Sequence, residues 1–545
     1  MTHPPNIILT TLNAKYIHPS LGLRYLLANM GDLKPQTVIR EFTIARKSHE
    51  VVGELLAALD GQGPVADRKS SGPQVVGFGV YIWNVYQTIS VIRLLKLARP
   101  DITVILGGPE VSHETDEQEI TRLADHVICG WGDLSFAKLC RTVLQGTSSL
   151  MKVIAGEQPD LDQIVLPYAE YSDADLMNRV VYVEASRGCP FKCEFCLSAL
   201  DKTAWAFDLE RFLGEMDRLY QRGARNFKFV DRTFNLKIDI AVRILQFFLD
   251  RLAAPGNGAS SAGLFVHFEA VPDHLPDPLR ALIAQFPPGV LQFEVGIQTF
   301  TVEVQQRISR KQDNDKTDAN LRWLLGQSNA NLHTDLLFGL PGESLESFAT
   351  GFDRLYALGP QEIQLGILKR LRGTPITRHA VEYRMVFDTA PPYSLRESST
   401  VDAPTVQRVS RFARYWDLIA NSGRFRKTLP LLLNGRGPDC EGDGTGAEPG
   451  GMGSPFHAFL CFSDWLWQRT KKTSGLSPEF LVDALFDYLC SRCALQVSKA
   501  KPALLADYVA SGARGSPLTL RGQLPKRDPP LQNRRPPETT MASKA

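Results

Sequence analysis

No stretch of this sequence approaches the ~18 uninterrupted apolar residues that a spanning helix needs. The N-terminal MTHPPNIILTTLN lacks both the basic start and the long apolar run of a secretory signal. Neither sign of charge is in excess: 61 Lys and Arg face 59 Asp and Glu, so nothing global favours nucleic acid or an anionic membrane. Cysteine is sparse and odd in number. The nine cysteines show no framework spacing and three of them crowd together, which argues for reduced thiols and a metal site, not for disulfides. The expected location is therefore the cytoplasm. There is no internal repeat. What remains is ordinary for globular protein, 43% hydrophobic and 22% charged residues, but 545 residues exceed what one core serves, so several domains are expected.

Residues 5–145 alternate five strand-like runs (NIILTTLN, TVIREFTI, QVVGFGVYIW, ITVILGGP, HVICGWGD) with helix-like stretches such as SLGLRYLLANM and VYQTISVIRLLKLAR. That alternation predicts a doubly wound α/β domain with parallel strands over 1–150. The polar insert LDGQGPVADRKSSGP is a surface loop by composition, and 151–179 has the aperiodic look of a linker. From 180 to 385 a second series follows. RVVYVEASRG, NFKFVDRTF, LFVHFEAV, VLQFEVGIQT, LHTDLLFGL and EIQLGIL are separated by amphipathic stretches, which suits a partial TIM-type (β/α)6 barrel with chemistry at the C-terminal strand ends. Residues 386–500 are mainly helical by pattern, interrupted by the loop DCEGDGTGAEPGGMGSP. The basic, proline-rich stretch 501–545 is expected to be disordered.

The chemistry concentrates in Gly188-Cys189-Pro190-Phe191-Lys192-Cys193-Glu194-Phe195-Cys196, a C-x3-C-x2-C loop directly after a strand. Three thiolates at this spacing can grip three irons of a [4Fe–4S] cubane and leave the fourth open. The competing reading is structural zinc, which would need a fourth Cys or His that the neighbourhood does not offer.

This loop resembles that of the radical SAM superfamily, and the resemblance covers roughly 180–375. It implies that the open iron binds S-adenosylmethionine (SAM), whose reductive cleavage yields a 5′-deoxyadenosyl radical. It further implies SAM-binding roles for Phe195 before the last cysteine, for Asp231 and Asn235 after the second strand, and for Glu269 and Gln298 ending the third and fourth. Arg310 in ISRKQDN and Asp335 through Gly339 in DLLFGLPGE follow in the same way. Taken singly, a Glu or Gln at a strand end is more often a hydrogen-bonded loop residue, and the Gly-Leu-Pro-Gly turn could be structural. Their joint order behind the cysteine loop is what carries the resemblance.

A doubly wound domain ahead of such a barrel resembles the cobalamin-binding domain of B12-dependent radical SAM proteins. Gly107 and Gly108 match that class's paired glycines, where a missing Cβ admits the cofactor's tail, and Gly130 opens a matching Gly-Trp-Gly-Asp turn. The Asp-x-His-x-x-Gly motif that ligates cobalt is absent. His18 lies on the corresponding loop at a different spacing, either a cobalt ligand or a residue at a helix start. The phrases LNAKYIHPSLGLRYLL, FKFVDRTFN and APPYSLRESST most resemble an uncharacterised B12-binding-domain radical SAM family with a C-terminal domain of unknown function.

The implied activity is a cobalamin-associated radical SAM enzyme that methylates or rearranges a small-molecule or macromolecular substrate. It would be reduced by a low-potential donor of flavodoxin or ferredoxin type. Two rivals stay open: a methylthiotransferase-like SAM enzyme without cobalamin, and a non-catalytic iron–sulfur redox protein. Cys490 and Cys493 are expected as incidental thiols, and the basic tail, without interleaved aromatics, gives no clear sign of nucleic acid.

Overall fold

The structure, a computed structural model, describes residues 4–60, 72–147, 151–201, 203–253, 263–434 and 453–525. It divides into two compact units, Met1–Ala413 and Arg414–Ala545. The insert at 61–71, the loop at 435–452 and the stretch 526–545 lie outside the described residues.

The first unit begins with strands β1 (Ile7–Asn13), β2 (Thr37–Thr43), β3 (Val75–Gly79), β4 (Thr103–Gly107), β5 (His126–Cys129) and β6 (Val153–Ala155). They form one parallel sheet in the order β2-β1-β3-β4-β5-β6. Alternate residues feed opposite faces. Ile8, Leu12, Val76 and Leu106 pack with helices Ser48–Asp60 and Val85–Ala98, whereas Ile7, Leu9, Val75 and Ile105 pack with helices Leu21–Ala28 and Ser135–Leu144. Helices on both faces make the sheet doubly wound, and the chain reverses direction beside β1, so the crevice at its C-terminal edge is the natural ligand site.

The expected boundary at 150 falls one strand short. β6 pairs with β5, so the supposed linker supplies a sheet edge, a three-residue strand too brief to show alternation. The rest of 151–179 is pinned rather than loose. Asn29 bonds Val165, and the Tyr168 and Tyr171 hydroxyls donate to the carbonyls of Glu184 and Tyr182.

The second sheet holds β7 (Val181–Val183), β10 (Asn226–Phe229), β11 (Phe265–Ala270), β12 (Leu291–Gln298), β13 (Asn331–Phe338) and β14 (Glu362–Ile367). A short antiparallel hairpin, β8 (Ser186–Gly188) with β9 (Ala204–Ala206), brackets the cysteine loop. In the parallel order β14-β13-β12-β11-β10-β7 the two end strands do not pair with each other among the described residues, which gives an open six-stranded barrel. Phe229, Phe268 and Phe293 are buried on one face of the strands, with the Phe229 and Phe268 rings 4.5 Å apart. The alternate residues Lys228, His267, Glu269, Glu294, His333 and Asp335 occupy the opposite face, because successive strand side chains alternate.

Past the barrel, the expected boundary at 386 is displaced. A two-stranded ribbon, Val386–Phe387 with Leu395–Glu397, and most of helix Ala403–Trp416 belong to the first unit. The second unit is built from helices Leu429–Leu433, Pro455–Thr470, Pro478–Ser491 and Val497–Ala510. The last of these corrects the expectation of disorder from 501. Leu504, Tyr508 and Leu520 are buried, and Asp483 accepts the N–H groups of Leu518 and Thr519, enough to order the chain to 525.

Candidate functional site

Gly188, at φ +88, turns the chain into the cysteine loop, and a Cβ there would lie 2.3 Å from the Thr203 carbonyl oxygen. Only glycine fits that turn. Cys189 and Cys193 are buried, Cys196 is half-buried, and all three line one pocket. Among the described residues no three His, Cys, Asp or Glu side chains converge on a single metal ion. The loop presents the three thiols around a shared space. Burial pushes the Cys189 thiol up to about 11 and raises Cys193, where Arg310 opposes it by pointing Nη1 at Sγ, 3.6 Å away.

Of the SAM candidates, Phe195, Glu269, Gln298, Arg310 and Asp335 line this pocket with the cysteines. Gln298 sits at φ +69, an uncommon conformation for a side-chain-bearing residue, where β12 bulges against β13. Three candidates are placed elsewhere. Asp231 is buried behind the loop, accepting from the Ala185 N–H at 3.0 Å and the Ser186 hydroxyl at 2.6 Å, and burial pushes its carboxyl up to about 7. Asn235 staples the next loop through the backbone of Val271 and His274. Gly339, at φ +90, packs under Leu395, where a Cβ would come within 2.4 Å of Cδ2.

The pocket also contains Arg232 and Glu294, which sequence reasoning missed. Arg232 donates to both oxygens of Glu269 at 2.8 Å. Burial would raise the Glu294 carboxyl, but its pairing with His267 at 3.0 Å and the charges of Lys228 and His333 hold it down to about 2. Strand parity was the available signal for Glu294, which precedes Gly296 by two in β12. Arg232 lies in the turn past the end of β10, where no strand period applies.

His333 closes the network beside Glu294. Burial alone would lower its imidazolium, but Asp335 at 3.2 Å and Glu362 at 3.0 Å push it up to about 10. A folded value above the unfolded 6.5 stabilises the fold fully below that pH, and the contribution fades as pH rises through about 10. His333→Gln should therefore lower stability to urea most near about pH 6, with the gap from wild type shrinking towards about pH 10. A gap independent of pH would contradict this assignment.

A second pocket opens at the C-terminal ends of β3 and β4. Seven of its lining residues are glycines: Gly22, Gly77, Gly79, Gly107, Gly108, Gly130 and Gly132. The three expected glycines are among them; His18 is not. Its Nδ1 instead meets the Tyr182 hydroxyl at 2.9 Å, on the first barrel strand. Arg187 walls the pocket, 4.7 Å over both the Tyr25 and Trp131 rings and paired with Asp133 and Glu184. It stands two residues before Cys189, so one short strand borders both pockets.

Two family models match the chain: the B12 binding domain over residues 7–140 and the radical SAM superfamily over 183–355. The chain carries a B12 binding domain followed by a radical SAM domain. Its two matched domains carry the two pockets, and imply a [4Fe–4S] cluster, SAM and cobalamin as cofactors. An uncharacterized methyltransferase of Pyrococcus horikoshii is 30% identical over 213 residues, 33% of this chain and 45% of that one. The cobalamin-dependent radical SAM methyltransferase TokK of Streptomyces tokunonensis is 25% identical over 334 residues, 54% of this chain and 47% of its own. The chain thus spans about half the length of these curated relatives. The cobalamin-dependent SAM radical enzyme OxsB shares the fold, with a TM-score of 0.61, 13% identity, and coverage of 94% of this chain and 82% of that one. No described helix is long and apolar enough to cross a membrane.

The pockets fit these groups. Three thiols on one loop suit a cluster with one iron left open. The glycine-carpeted crevice has no Cβ on much of its floor, which suits a broad flat ligand.

Proposed function

We propose that this protein is a cobalamin-dependent radical SAM enzyme that methylates a carbon of a small-molecule substrate. The observation that carries it is the adjacency of the two pockets: Arg187 borders the glycine-lined crevice and Cys189 the thiol-lined one, on a single strand turn. When bound, the cluster would supply one electron for cleavage of SAM to methionine and a 5′-deoxyadenosyl radical, which becomes 5′-deoxyadenosine on taking a hydrogen atom from substrate, and the corrinoid would carry a methyl group from a second SAM. Cys189, Cys193 and Cys196 hold the cluster. Phe195, Gln298, Arg310 and Asp335 bind SAM, with Arg310 and the Arg232–Glu269 pair fixing charge around it. Asp231, Asn235 and Gly339 support the loops from behind. Gly107, Gly108 and Gly130 floor the corrin site, and His18 ties the first loop to the barrel without touching cobalt. The electron donor is a low-potential flavodoxin or ferredoxin type, and the setting is cytoplasmic.

The test is anaerobic reconstitution with cluster, hydroxocobalamin and dithionite, followed by mass spectrometry. Turnover should release 5′-deoxyadenosine and S-adenosylhomocysteine together. Formation of 5′-deoxyadenosine with no homocysteine product would favour rearrangement, or SAM chemistry without cobalamin. Asp335→Asn and Gln298→Ala should each weaken SAM binding about 10-fold or more, the loss of a hydrogen bond worth ~1.5–3 kcal/mol to a charged ligand. Iron content should stay unchanged. Wild-type affinity in both variants would remove them from the SAM site.

A further inference from the structure

The segment that follows β14 makes contacts that neither pocket explains by itself. At one end, Arg372 donates Nε to Glu110 at 3.1 Å, Nη1 to Glu114 at 3.0 Å and Nη2 to the Tyr393 hydroxyl at 3.0 Å. Arg370 reaches Glu114 at 3.2 Å, and Tyr393 donates to Glu110. Gly373 closes against the same loop: at φ +80, a Cβ on it would lie 2.4 Å from the His113 ring. Glu110 is 5% exposed. Glu110, His113 and Glu114 all belong to the loop after β4, which starts at pocket residue Gly108. Within that loop Ser112 bonds Gly108 and Gly130, donating to the carbonyl of one at 2.9 Å and accepting from the N–H of the other at 3.1 Å. Holding Glu110 and Glu114 therefore holds two walls of the glycine-lined crevice.

At its other end the same segment grips the cysteine loop. The Ile376 N–H donates to the Glu194 carbonyl at 3.0 Å, and His379 Nε2 meets Glu194 Oε2 at 2.8 Å. Arg378 donates to Glu194 as well, and the Ser309 hydroxyl does so at 2.6 Å. Glu194 is buried and stands between Cys193 and Cys196. Ten residues thus touch both cofactor loops, and a buried carboxylate anchors each end.

We propose that residues 370–379 form a strap that fixes the crevice loop 108–114 relative to the cysteine loop, with Arg372 and Glu194 as its positioning residues. The proposal rests on the cobalamin reading for its consequence, though not for its geometry. Two carboxylates and a phenol oxygen around one guanidinium use the planar fork that only arginine presents. Its removal leaves a buried charge unpaired, so the loop must move to rehydrate it. The strap would thereby set how the corrin site faces the SAM site while taking no part in either reaction.

The test uses the full chain with its cluster reconstituted, hydroxocobalamin titration, iron analysis, and hydrogen exchange followed by mass spectrometry. Arg372→Ala should weaken hydroxocobalamin binding at least about 10-fold and speed exchange across 108–114, with iron content and 5′-deoxyadenosine release within about 2-fold of wild type. Arg372→Lys, a point charge in place of the fork, should fall between. Glu194→Gln, at the far end, should also speed exchange across 108–114, although it touches nothing there. Unchanged exchange across 108–114 in both Arg372→Ala and Glu194→Gln would overturn the strap, as would loss of iron in Arg372→Ala, which would mark general unfolding. If exchange responds as stated but wild-type protein takes up no hydroxocobalamin, the strap stands and the cobalamin reading fails.

Discussion

Changing any one of Cys189, Cys193 or Cys196 to Ala should abolish the iron–sulfur absorption of reconstituted protein and all release of 5′-deoxyadenosine. Wild type should hold about four irons per chain, the content of one cubane. The expected loss is complete because each carboxylate lining the pocket is already engaged, Glu294 by His267. Glu269 is engaged on both oxygens by Arg232, and Asp335 is paired with His333. Cys129 and Cys140 lie in the other domain, Cys140 buried in its core. The loop itself should survive the change. Its conformation depends on Gly188, on Glu194 and on the Glu194 N–H bond to the Ile308 carbonyl, none of which involves a thiol. Circular dichroism should therefore remain that of wild type while the visible spectrum disappears. Control substitutions at Cys461 and Cys490 should leave iron content unchanged. One zinc per chain after anaerobic purification, without iron–sulfur absorption, would refute the cluster assignment and reopen the zinc reading.

How much of this could be seen in the residues alone depended on the range of the interaction that decides each feature. The C-x3-C-x2-C loop is local, so spacing alone located it. The strands of both sheets showed in their apolar runs because burial on a sheet imposes that pattern. Features decided by partners distant in sequence were harder. Asp231 is a polar strand-end residue in an attractive motif, but its oxygens go to Ala185 and Ser186, 46 and 45 residues away, and Arg232 faces the pocket instead. His18 sits on the right loop, but Tyr182, 164 residues on, claims its ring. β6 is three residues long, and only its pairing with β5 makes it a strand. The helix Val497–Ala510 was obscured by neighbouring prolines and lysines, though its few apolar residues find a core. Least visible were the ties of 370–379 to Glu110, Glu114 and Glu194, since surface-type residues in a loop give no sign that they are buried against other loops.

The crevice yields the sharper test of cobalamin binding, and the two paired glycines should not behave alike. Gly108 has φ +110, and a Cβ there would meet the Val80 carbonyl oxygen at 2.5 Å, so Gly108→Val disturbs the backbone before any ligand arrives. Loss of cofactor in that variant would not separate a blocked site from a damaged sheet. Gly107 is different. It ends β4 in register with Gly79, and a Cβ would find only the Ile128 carbonyl oxygen at 3.8 Å, an ordinary contact. Gly107→Leu should thus fold, while its side chain fills space in the floor where a flat ligand must lie. We expect hydroxocobalamin affinity to fall by about 100-fold or more, the scale of a ~3 kcal/mol steric penalty. Iron content and 5′-deoxyadenosine release should remain, because the thiol-lined pocket belongs to the barrel. His18→Ala provides the companion measurement. With its ring turned to Tyr182 and absent from the crevice lining, the spectrum of bound cob(II)alamin should not move, and its electron paramagnetic resonance should show no nitrogen splitting that the variant removes. Full retention of cobalamin by Gly107→Leu would mean that the glycine-lined crevice is not the corrin site. A spectral change in His18→Ala would return His18 to cobalt.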